Sequence, residues 1–167
     1  MTTSGPETRD REIARQMEHF EQVCRSAGVK LTHQRMEVFR EVARSGHHPD
    51  AETIHRGVRS RLPTVSLDTV YRALWLLSDL GLITTLGPSR ERTRFDANLR
   101  RHHHFVCVRC GLTRDFYSDA FDDLKLPHSV RALGRVETTQ VEARGVCHEC
   151  AQADSAKPAT AKKKGKR

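Results

Sequence analysis

Two Cys-x-x-Cys pairs constrain the fold of this 167-residue chain more than any other feature. The first pair is Cys107 with Cys110, and the second is Cys147 with Cys150. Two such pairs can bring four thiolates around one ion in the tetrahedral geometry of structural zinc. Because four thiolates leave no open position, the spacing predicts a closed structural Zn2+ site. The alternatives are two disulfides in an exported protein, a thioredoxin-like redox pair, and use of the zinc thiolates as a redox switch.

The charge and the expected compartment of the chain limit its partners. No apolar run approaches the ~18 residues of a membrane span, and the N-terminus is polar. We therefore expect no membrane segment, no secretory signal and a cytoplasmic protein. The formal net charge is +8, of which residues 154–167 contribute +5. This balance favours a polyanionic partner, although the Lys-rich tail is predicted to be disordered, with nonspecific DNA contact as the alternative.

The N-terminal half predicts four short helices. Apolar residues recur at steps of three and four over residues 13–27, and Gly28 then ends the first helix. Three further helices are predicted to begin after the N-cap residues Thr32, Asp50 and Ser66. Each of these is followed by apolar residues at helical spacing. The half therefore predicts a small helical core.

A β-hairpin is predicted to follow the helices. Two alternating runs, residues 82–86 and 93–97, flank Gly87-Pro88-Ser89. This order of elements is typical of a winged helix-turn-helix, whose recognition helix enters the major groove with its first residues toward the bases. The fourth helix would present there the polar residues Ser66, Thr69, Tyr71 and Arg72. A helical domain of another purpose with a polar exposed face is the alternative.

The C-terminal half indicates a small α+β domain. Strands are predicted over residues 103–108, 112–117 and 136–143, with a helix over residues 119–133 that Pro127 should kink or split. Dimerisation and metal would supplement so small a core. The fold class is therefore α+β. The expected boundaries are a flexible N-terminus at 1–12, a winged-helix DNA-binding domain at 13–92, a hinge at 93–98, a dimerisation and metal-binding domain at 99–153, and a disordered basic tail at 154–167.

A second group of metal-binding side chains has different chemistry. Residues i and i+2 of a strand point the same way, so His102 and His104 can bind the same metal ion while His103 faces away. The other candidates are Asp96, Asp115 and His48. Imidazole and carboxylate donors suit iron, manganese or zinc. Such a site would draw on both domains and fix the angle between the DNA-reading domains of a dimer, whereas solvated loop histidines are the alternative.

The motifs, taken in order, resemble those of the ferric uptake regulator family over roughly residues 15–150. The matching segments are residues 28–35, 47–52, 65–72, 80–83, 94–96, 102–111, 115–116 and 145–150. The resemblance implies a homodimeric winged-helix repressor that binds AT-rich, palindrome-like double-stranded DNA operators when its regulatory metal is bound. It implies no small-molecule substrate other than the metal ion and hydrogen peroxide.

The resemblance also assigns roles to individual positions. Lys30 would reach the minor groove, Tyr71 and Arg72 would contact bases, and the backbone would be held by Arg35, Ser66 and Thr69. The structural zinc ligands would be Cys107, Cys110, Cys147 and Cys150. The regulatory ligands would be His48, Asp96, His102, His104 and Asp115. This five-ligand set matches the peroxide-sensing branch of the family, which uses Fe2+ or Mn2+.

Aspartate at positions 96 and 115 favours the peroxide-sensing branch, because many iron-uptake repressors carry glutamate there. The resemblance implies that peroxide oxidises a ligand histidine, His48 or His102, in the iron form and that DNA is then released. The alternatives are an iron- or zinc-uptake repressor and, least favoured, a metalloenzyme, since the reaction consumes its own ligand. Thr138 and Thr139 replace histidines of several relatives, which weakens the case for a further metal site.

Overall fold

The computed structural model describes residues 6–86 and 93–155, which fall into two compact units, Met1–Arg100 and Arg101–Arg167. The first unit contains four helices and a two-stranded hairpin. They are α1 (Pro6–Ser26), α2 (His33–Arg44), α3 (Ala51–Arg59), α4 (Leu67–Asp79), β1 (Thr84–Leu86) and β2 (Arg94–Asp96).

The N-caps of the first unit are those that the sequence predicts. The side chains of Thr32, Asp50 and Ser66 each accept a hydrogen bond from the backbone N–H three residues later. The chain leaves α1 through Gly28, which adopts a φ of 66° that glycine tolerates without strain. The four predicted helices are therefore confirmed.

The first helix begins earlier than expected. We predicted a flexible segment through residue 12, and this is wrong for residues 6–12, because α1 starts at Pro6. Proline suits the first position of a helix, and Glu7 in the first turn complements the helix dipole. The guanidinium of Arg9 also donates to the backbone carbonyl of Arg44 at the end of α2. The start of α1 is thus tied to another helix.

Aromatic and aliphatic side chains from all four helices form the core of the first unit. The rings of Phe20 and Phe39 stack with their centroids 4.9 Å apart. Ile54, Leu74 and Leu77 are fully buried beside them. The inner face of α4 is thereby fixed to the core, while Asp68, Arg72 and Trp75 on its other side are exposed.

The hairpin that follows α4 is confirmed. Its register pairs Thr84 with Asp96, Thr85 with Phe95 and Leu86 with Arg94. The predicted turn Gly87-Pro88-Ser89 lies outside the described residues. Residues 93–98 were expected to form a hinge, but residues 94–96 form a strand within the first unit, because Phe95 is buried in its core.

The second unit contains a three-stranded sheet and three short helices. The strands are β3 (His103–Cys107), β4 (Thr113–Phe116) and β5 (Glu142–Gly145), in the order β4-β3-β5. β3 pairs antiparallel with β4 and parallel with β5. The helices are α5 (Asp119–Asp122), α6 (His128–Arg131) and α7 (His148–Ser155). Helices and mixed strands together confirm the α+β class.

One prediction for the second unit needs correction and one is confirmed. The strand predicted over residues 136–143 begins only at Glu142 and continues to Gly145, since pairing with β3 in register starts there. The helix predicted over residues 119–133 is split into α5 and α6, and Pro127 is the N-cap of α6. This split was one of the two outcomes expected for Pro127.

The predicted tail at 154–167 lies outside the described residues, apart from residues 154 and 155, which end α7. In the described ranges, no helix is long and apolar enough to cross a membrane.

Candidate functional sites

The four cysteines of the two Cys-x-x-Cys pairs lie together in the second unit. Their sulfur atoms are all within 4.8 Å of one another. Cys107 ends β3, Cys110 lies in the turn that leads to β4, and Cys147 and Cys150 come just before and within α7. The Sγ atoms of Cys110 and Cys147 are 3.7 Å apart. The cluster therefore joins the β3–β4 turn to the last described helix.

The ionisation of these thiols indicates that the cluster suits a divalent cation. Hydrogen bonds from the backbone N–H groups of Cys110 and Cys147 lower the pKa of Cys107 to about 6. Contacts with the side chains of Cys147 and Cys110 raise the pKa of Cys150 to about 12. The Cys107 thiolate thus forms readily, while the neighbouring thiols oppose ionisation of Cys150. A bound Zn2+ would remove that opposition, so the donor set fits structural zinc.

His48 and Asp96 form a buried pair in the first unit. Nε2 of His48 lies 3.3 Å from Oδ2 of Asp96, and both side chains are less than a tenth exposed. The loop that carries His48 is held against β2, since Arg94 donates to the carbonyl of His48 and Phe95 N–H to that of Pro49. His48 has a φ of 49°, a left-handed conformation that is uncommon outside glycine. The fold keeps this imidazole beside a carboxylate.

His102, His104 and Asp115 converge in the second unit. The two Nε2 atoms of the histidines are 2.9 Å apart. Oδ1 of Asp115 lies 3.8 Å from Nε2 of His102 and 3.6 Å from Nε2 of His104. The register of β3 and β4 places His104 directly opposite Asp115. Two imidazoles and a carboxylate are suitable donors for iron, manganese or zinc.

His103 lies on the opposite face of β3, as the strand periodicity predicts. Its Nδ1 accepts a hydrogen bond from the backbone N–H of Val141, 3.3 Å away. Its Nε2 lies 3.4 Å from Oδ1 of Asp122, and its ring contacts Phe116 and Phe121. His103 is therefore buried in the second unit, on the face of β3 away from His102 and His104.

The predicted DNA-binding residues lie around the N-terminal ends of α2 and α4. Arg35, Thr69 and Arg72 line a cleft of about 280 Å³. Nη1 of Arg35 donates a hydrogen bond to the backbone carbonyl of Lys30, 2.5 Å away. The side chain of Lys30 is exposed. The cleft brings together side chains from two helices that are far apart in sequence.

Ser66 and Tyr71 are also held by polar contacts on α4. Oγ of Ser66 lies 2.8 Å from Oγ1 of Thr69, and it also accepts the Thr69 backbone N–H. The hydroxyl of Tyr71 donates to Oε1 of Glu52, 3.5 Å away. Burial, together with the charge of Glu52, raises the pKa of Tyr71, so this hydroxyl stays protonated.

Sequence reasoning missed two acidic residues on this face. Glu52 contacts Tyr71, and Asp68 forms an ion pair with Arg72. The spacing of Asp68 and Arg72, four residues apart on a predicted helix, was a sufficient signal for their pairing. No local signal indicates the contact between Glu52 and Tyr71, since it joins two helices.

A comparison with known families decides the relationship of the chain. A sequence model of the ferric uptake regulator family matches residues 26–144. The chain belongs to this family. It is 33% identical over 127 residues to the peroxide-responsive repressor PerR of Staphylococcus epidermidis, which covers 75% of this chain and 84% of that protein.

Two solved structures of metal-uptake regulators have the same fold. The ferric uptake regulator Fur of Helicobacter pylori superposes with a TM-score of 0.66 at 23% identity, over 83% of this chain and 93% of that one. A zinc-bound manganese uptake regulator superposes with a TM-score of 0.60 at 27% identity, over 76% of this chain and 97% of that one. Within the family match lie all the predicted DNA-binding and regulatory residues, whereas Cys147 and Cys150 come just after it.

Proposed function

We propose that this protein is a metal-dependent transcriptional repressor that binds a double-stranded DNA operator as a homodimer and releases it in response to hydrogen peroxide. The observation that carries the proposal is the presence of two chemically different donor sets. A closed set of four thiols lies at the end of β3, and a second set is formed by His104 on β3, Asp115 on β4 and His102 just before β3. The first suits a structural ion and the second an exchangeable one.

The four cysteines would hold a structural Zn2+. Cys107 and Cys110 flank the β3–β4 turn, while Cys147 and Cys150 begin α7. Four thiolates would tie these segments together and substitute for apolar core that the small second unit lacks. They would leave no position for a substrate, which supports a structural role.

The regulatory ion would be Fe2+ or Mn2+, bound by His48, Asp96, His102, His104 and Asp115. The donor chemistry in each unit supports this assignment, because each offers buried imidazole together with a carboxylate, Asp96 in the first unit and the partly exposed Asp115 in the second. Occupancy of these ligands would control the affinity of α4 for DNA. Metal would thereby control repression.

The peroxide response rests on one property of this donor set. Fe2+ held by these residues would supply the electrons that reduce hydrogen peroxide, with a neighbouring imidazole as the group that is oxidised, whereas Mn2+ would not supply this chemistry. Among the donors, His48 and His102 are the expected targets. An oxidised imidazole is a poor metal ligand. The ion would therefore leave the ligand set, and the protein would release the DNA. Since the reaction consumes a ligand, we propose a regulator rather than an enzyme, acting in the cytoplasm where thiols stay reduced.

Exposed apolar side chains on the second unit support the homodimer. Leu133, Val108 and Tyr117 are each 60% exposed or more. Side chains of this kind, grouped on one small unit, are typical of a protein interface. A dimer would present two copies of α4 to a palindromic operator.

The proposal is tested on the zinc-loaded protein, reconstituted anaerobically with Fe2+ or Mn2+. Binding is measured to a duplex selected from a random-sequence pool, before and after a brief peroxide pulse. We expect metal-dependent binding in both forms and release in the iron form only. Retained binding in both forms would instead favour a metal-uptake repressor, a function supported by the similarity to the manganese uptake regulator. Binding that ignores metal would contradict both.

A further inference from the structure

An acidic side chain lies on the proposed DNA-binding face, in the first turn of α4. The carboxylate of Asp68 forms an ion pair with Nη2 of Arg72, one helical turn later. Both side chains are well exposed, at 73% for Asp68 and 75% for Arg72. The proposed function uses Arg72 and gives Asp68 no role.

Asp68 stands where a negative charge opposes DNA binding. An acid in the first turn favours the isolated helix, because it complements the helix dipole. In a winged-helix complex, however, the first turn of the recognition helix lies in the major groove, between two rows of phosphates. The carboxylate of Asp68 repels those phosphates on every duplex, whatever its sequence. Asp68 therefore weakens sequence-independent binding, and a benefit from it can come only through a contact that depends on sequence.

The pairing with Asp68 supplies such an interaction through Arg72. A guanidinium carries five N–H donors in a planar fork, so a contact through Nη2 leaves other donors for a base. Guanine offers two acceptors in the major groove, O6 and N7, that match a fork held in one orientation. Because Asp68 already orders the Arg72 side chain, less side-chain entropy is lost when that base is bound.

We propose that Asp68 is a specificity-determining positioning residue, an inference that rests on the proposed function. It holds Arg72 in the orientation that reads guanine, and its charge weakens binding to duplexes that offer no guanine at that position. The pair Asp68–Arg72 thus raises the ratio of specific to nonspecific affinity, and does not raise affinity in general.

The test compares the wild-type protein with Asp68→Asn, both zinc-loaded and Mn2+-loaded. The probes are a duplex selected by the wild type from a random-sequence pool, the same duplex with 7-deazaguanine at each guanine in turn, and a random-sequence duplex. At the guanine that is read, 7-deazaguanine should weaken wild-type binding by about 5- to 100-fold. Asp68→Asn should lose most of that sensitivity and bind the random duplex about threefold tighter or more.

Two further variants separate positioning from charge alone. Asp68→Glu keeps the charge, and its longer side chain can still pair with Arg72 four residues later, so it should keep most of the sensitivity to 7-deazaguanine. Asp79→Asn removes the same charge from the other end of α4, where Asp79 is exposed. It should change the affinity for the selected duplex and for the random duplex by the same factor. Circular dichroism of each variant checks that α4 is folded.

The outcomes distinguish this inference from the function on which it rests. If the wild type selects no duplex in the presence of metal, the repressor proposal fails, and this inference with it, before any variant is measured. The role of Asp68 alone is overturned if the wild type selects a duplex but Asp68→Asn keeps the full sensitivity to 7-deazaguanine. The same holds if Asp68→Asn binds the selected and the random duplex more tightly by the same factor. A selected duplex in which no guanine matters overturns it as well.

Discussion

Glu37 is a buried acid whose stabilising role depends on its charge. Only 3% of its side chain is exposed, and it pairs with Arg61 and Arg40. Burial opposes its ionisation, but the hydrogen bond from Arg61 and the charges of both arginines outweigh it and lower the pKa of Glu37. We expect Glu37→Gln to reduce the free energy of unfolding at pH 7 by about 1–3 kcal/mol, since a buried charged hydrogen bond is lost.

The effect of Glu37→Gln should depend on pH in a definite direction. A carboxyl whose pKa is lowered by folding stabilises the fold above its ordinary pKa of 4.5, and this contribution is lost as pH falls through the lower folded value. Urea unfolding followed by the fluorescence of Trp75, the single tryptophan, measures it. The difference between wild type and variant should shrink from pH 5 to pH 3, and a constant difference would contradict the assignment. Glu41→Gln, a more exposed partner of Arg61, should have a smaller effect.

Arg72 is the residue of α4 on which operator recognition should depend most. Arg72→Ala should weaken binding to the selected duplex by about 1–3 kcal/mol if the side chain reads a base. Binding to random DNA should change much less. Fluorescence anisotropy on both duplexes measures the two losses, with Arg59→Ala, an exposed arginine at the end of α3, as the control. Equal losses on both duplexes would identify Arg72 as a phosphate contact.

At the scale of the element, the N-terminal end of α4 has both a structural and a binding role. Ser66 caps the helix and also lies on the proposed DNA-binding face. Ser66→Ala should lower the free energy of unfolding by about 1 kcal/mol, because the cap is lost. Ser66→Asp should keep that stability but weaken DNA binding, because a carboxylate caps equally well and repels phosphate. Urea unfolding and DNA binding of both variants measure this.

A different pattern in the Ser66 variants would change the assignment. If Ser66→Asp bound DNA as tightly as the wild type, Ser66 would be a cap without contact to the phosphates. If Ser66→Ala were as stable as the wild type, the hydrogen bond to the Thr69 N–H would contribute nothing to α4.

Elements with local causes could be predicted from the sequence. A cap depends on a side chain and a backbone N–H three residues apart, so Thr32 and Asp50 mark their helices without knowledge of the fold. The alternation along β3 likewise placed His102 and His104 together and His103 apart. Pro127 interrupts a helix wherever it occurs in one. For the same reason the cysteine cluster could be proposed from spacing alone.

Features that depend on tertiary contacts could not be predicted. The start of α1 is tied to the end of α2 through Arg9, which lies 35 residues from Arg44. The limits of β5 follow from its register with β3. The sequence alone does not show where this pairing begins and ends. Gly57 is another case, because the carboxylate of Glu41 occupies the space that a Cβ at this position of α3 would need. Sequence periodicity contains none of this information.

At the scale of the whole molecule, the thiol cluster should determine whether the protein assembles. Cys107→Ser should reduce zinc to well below one ion per chain and cause loss of the folded dimer, because a closed structural site contributes to folding itself. Zinc analysis and analytical ultracentrifugation measure this. Cys24→Ala is the matched control, since Cys24 is buried in the core of the first unit and the cluster belongs to the second. A zinc-replete, metal-responsive Cys107→Ser dimer would contradict the structural role.

The two donor sets would have different roles in the whole molecule. The thiols would hold one ion permanently, while the imidazole and carboxylate donors would exchange theirs with the cell. General affinity orders favour zinc over iron and manganese at nitrogen and oxygen donors, so metal supply decides which ion the regulatory set holds. The response to peroxide then depends on whether that ion is Fe2+.

Peptide mass spectrometry of the protein after a peroxide pulse tests the central claim most directly. The zinc-loaded protein is bound to its selected duplex with Fe2+ or Mn2+, treated with peroxide and digested. We predict that the peptide containing His48 or that containing His102 gains one oxygen atom in the iron form only, in proportion to the DNA released. Unchanged histidine masses in the iron form, with DNA still bound, would contradict the account.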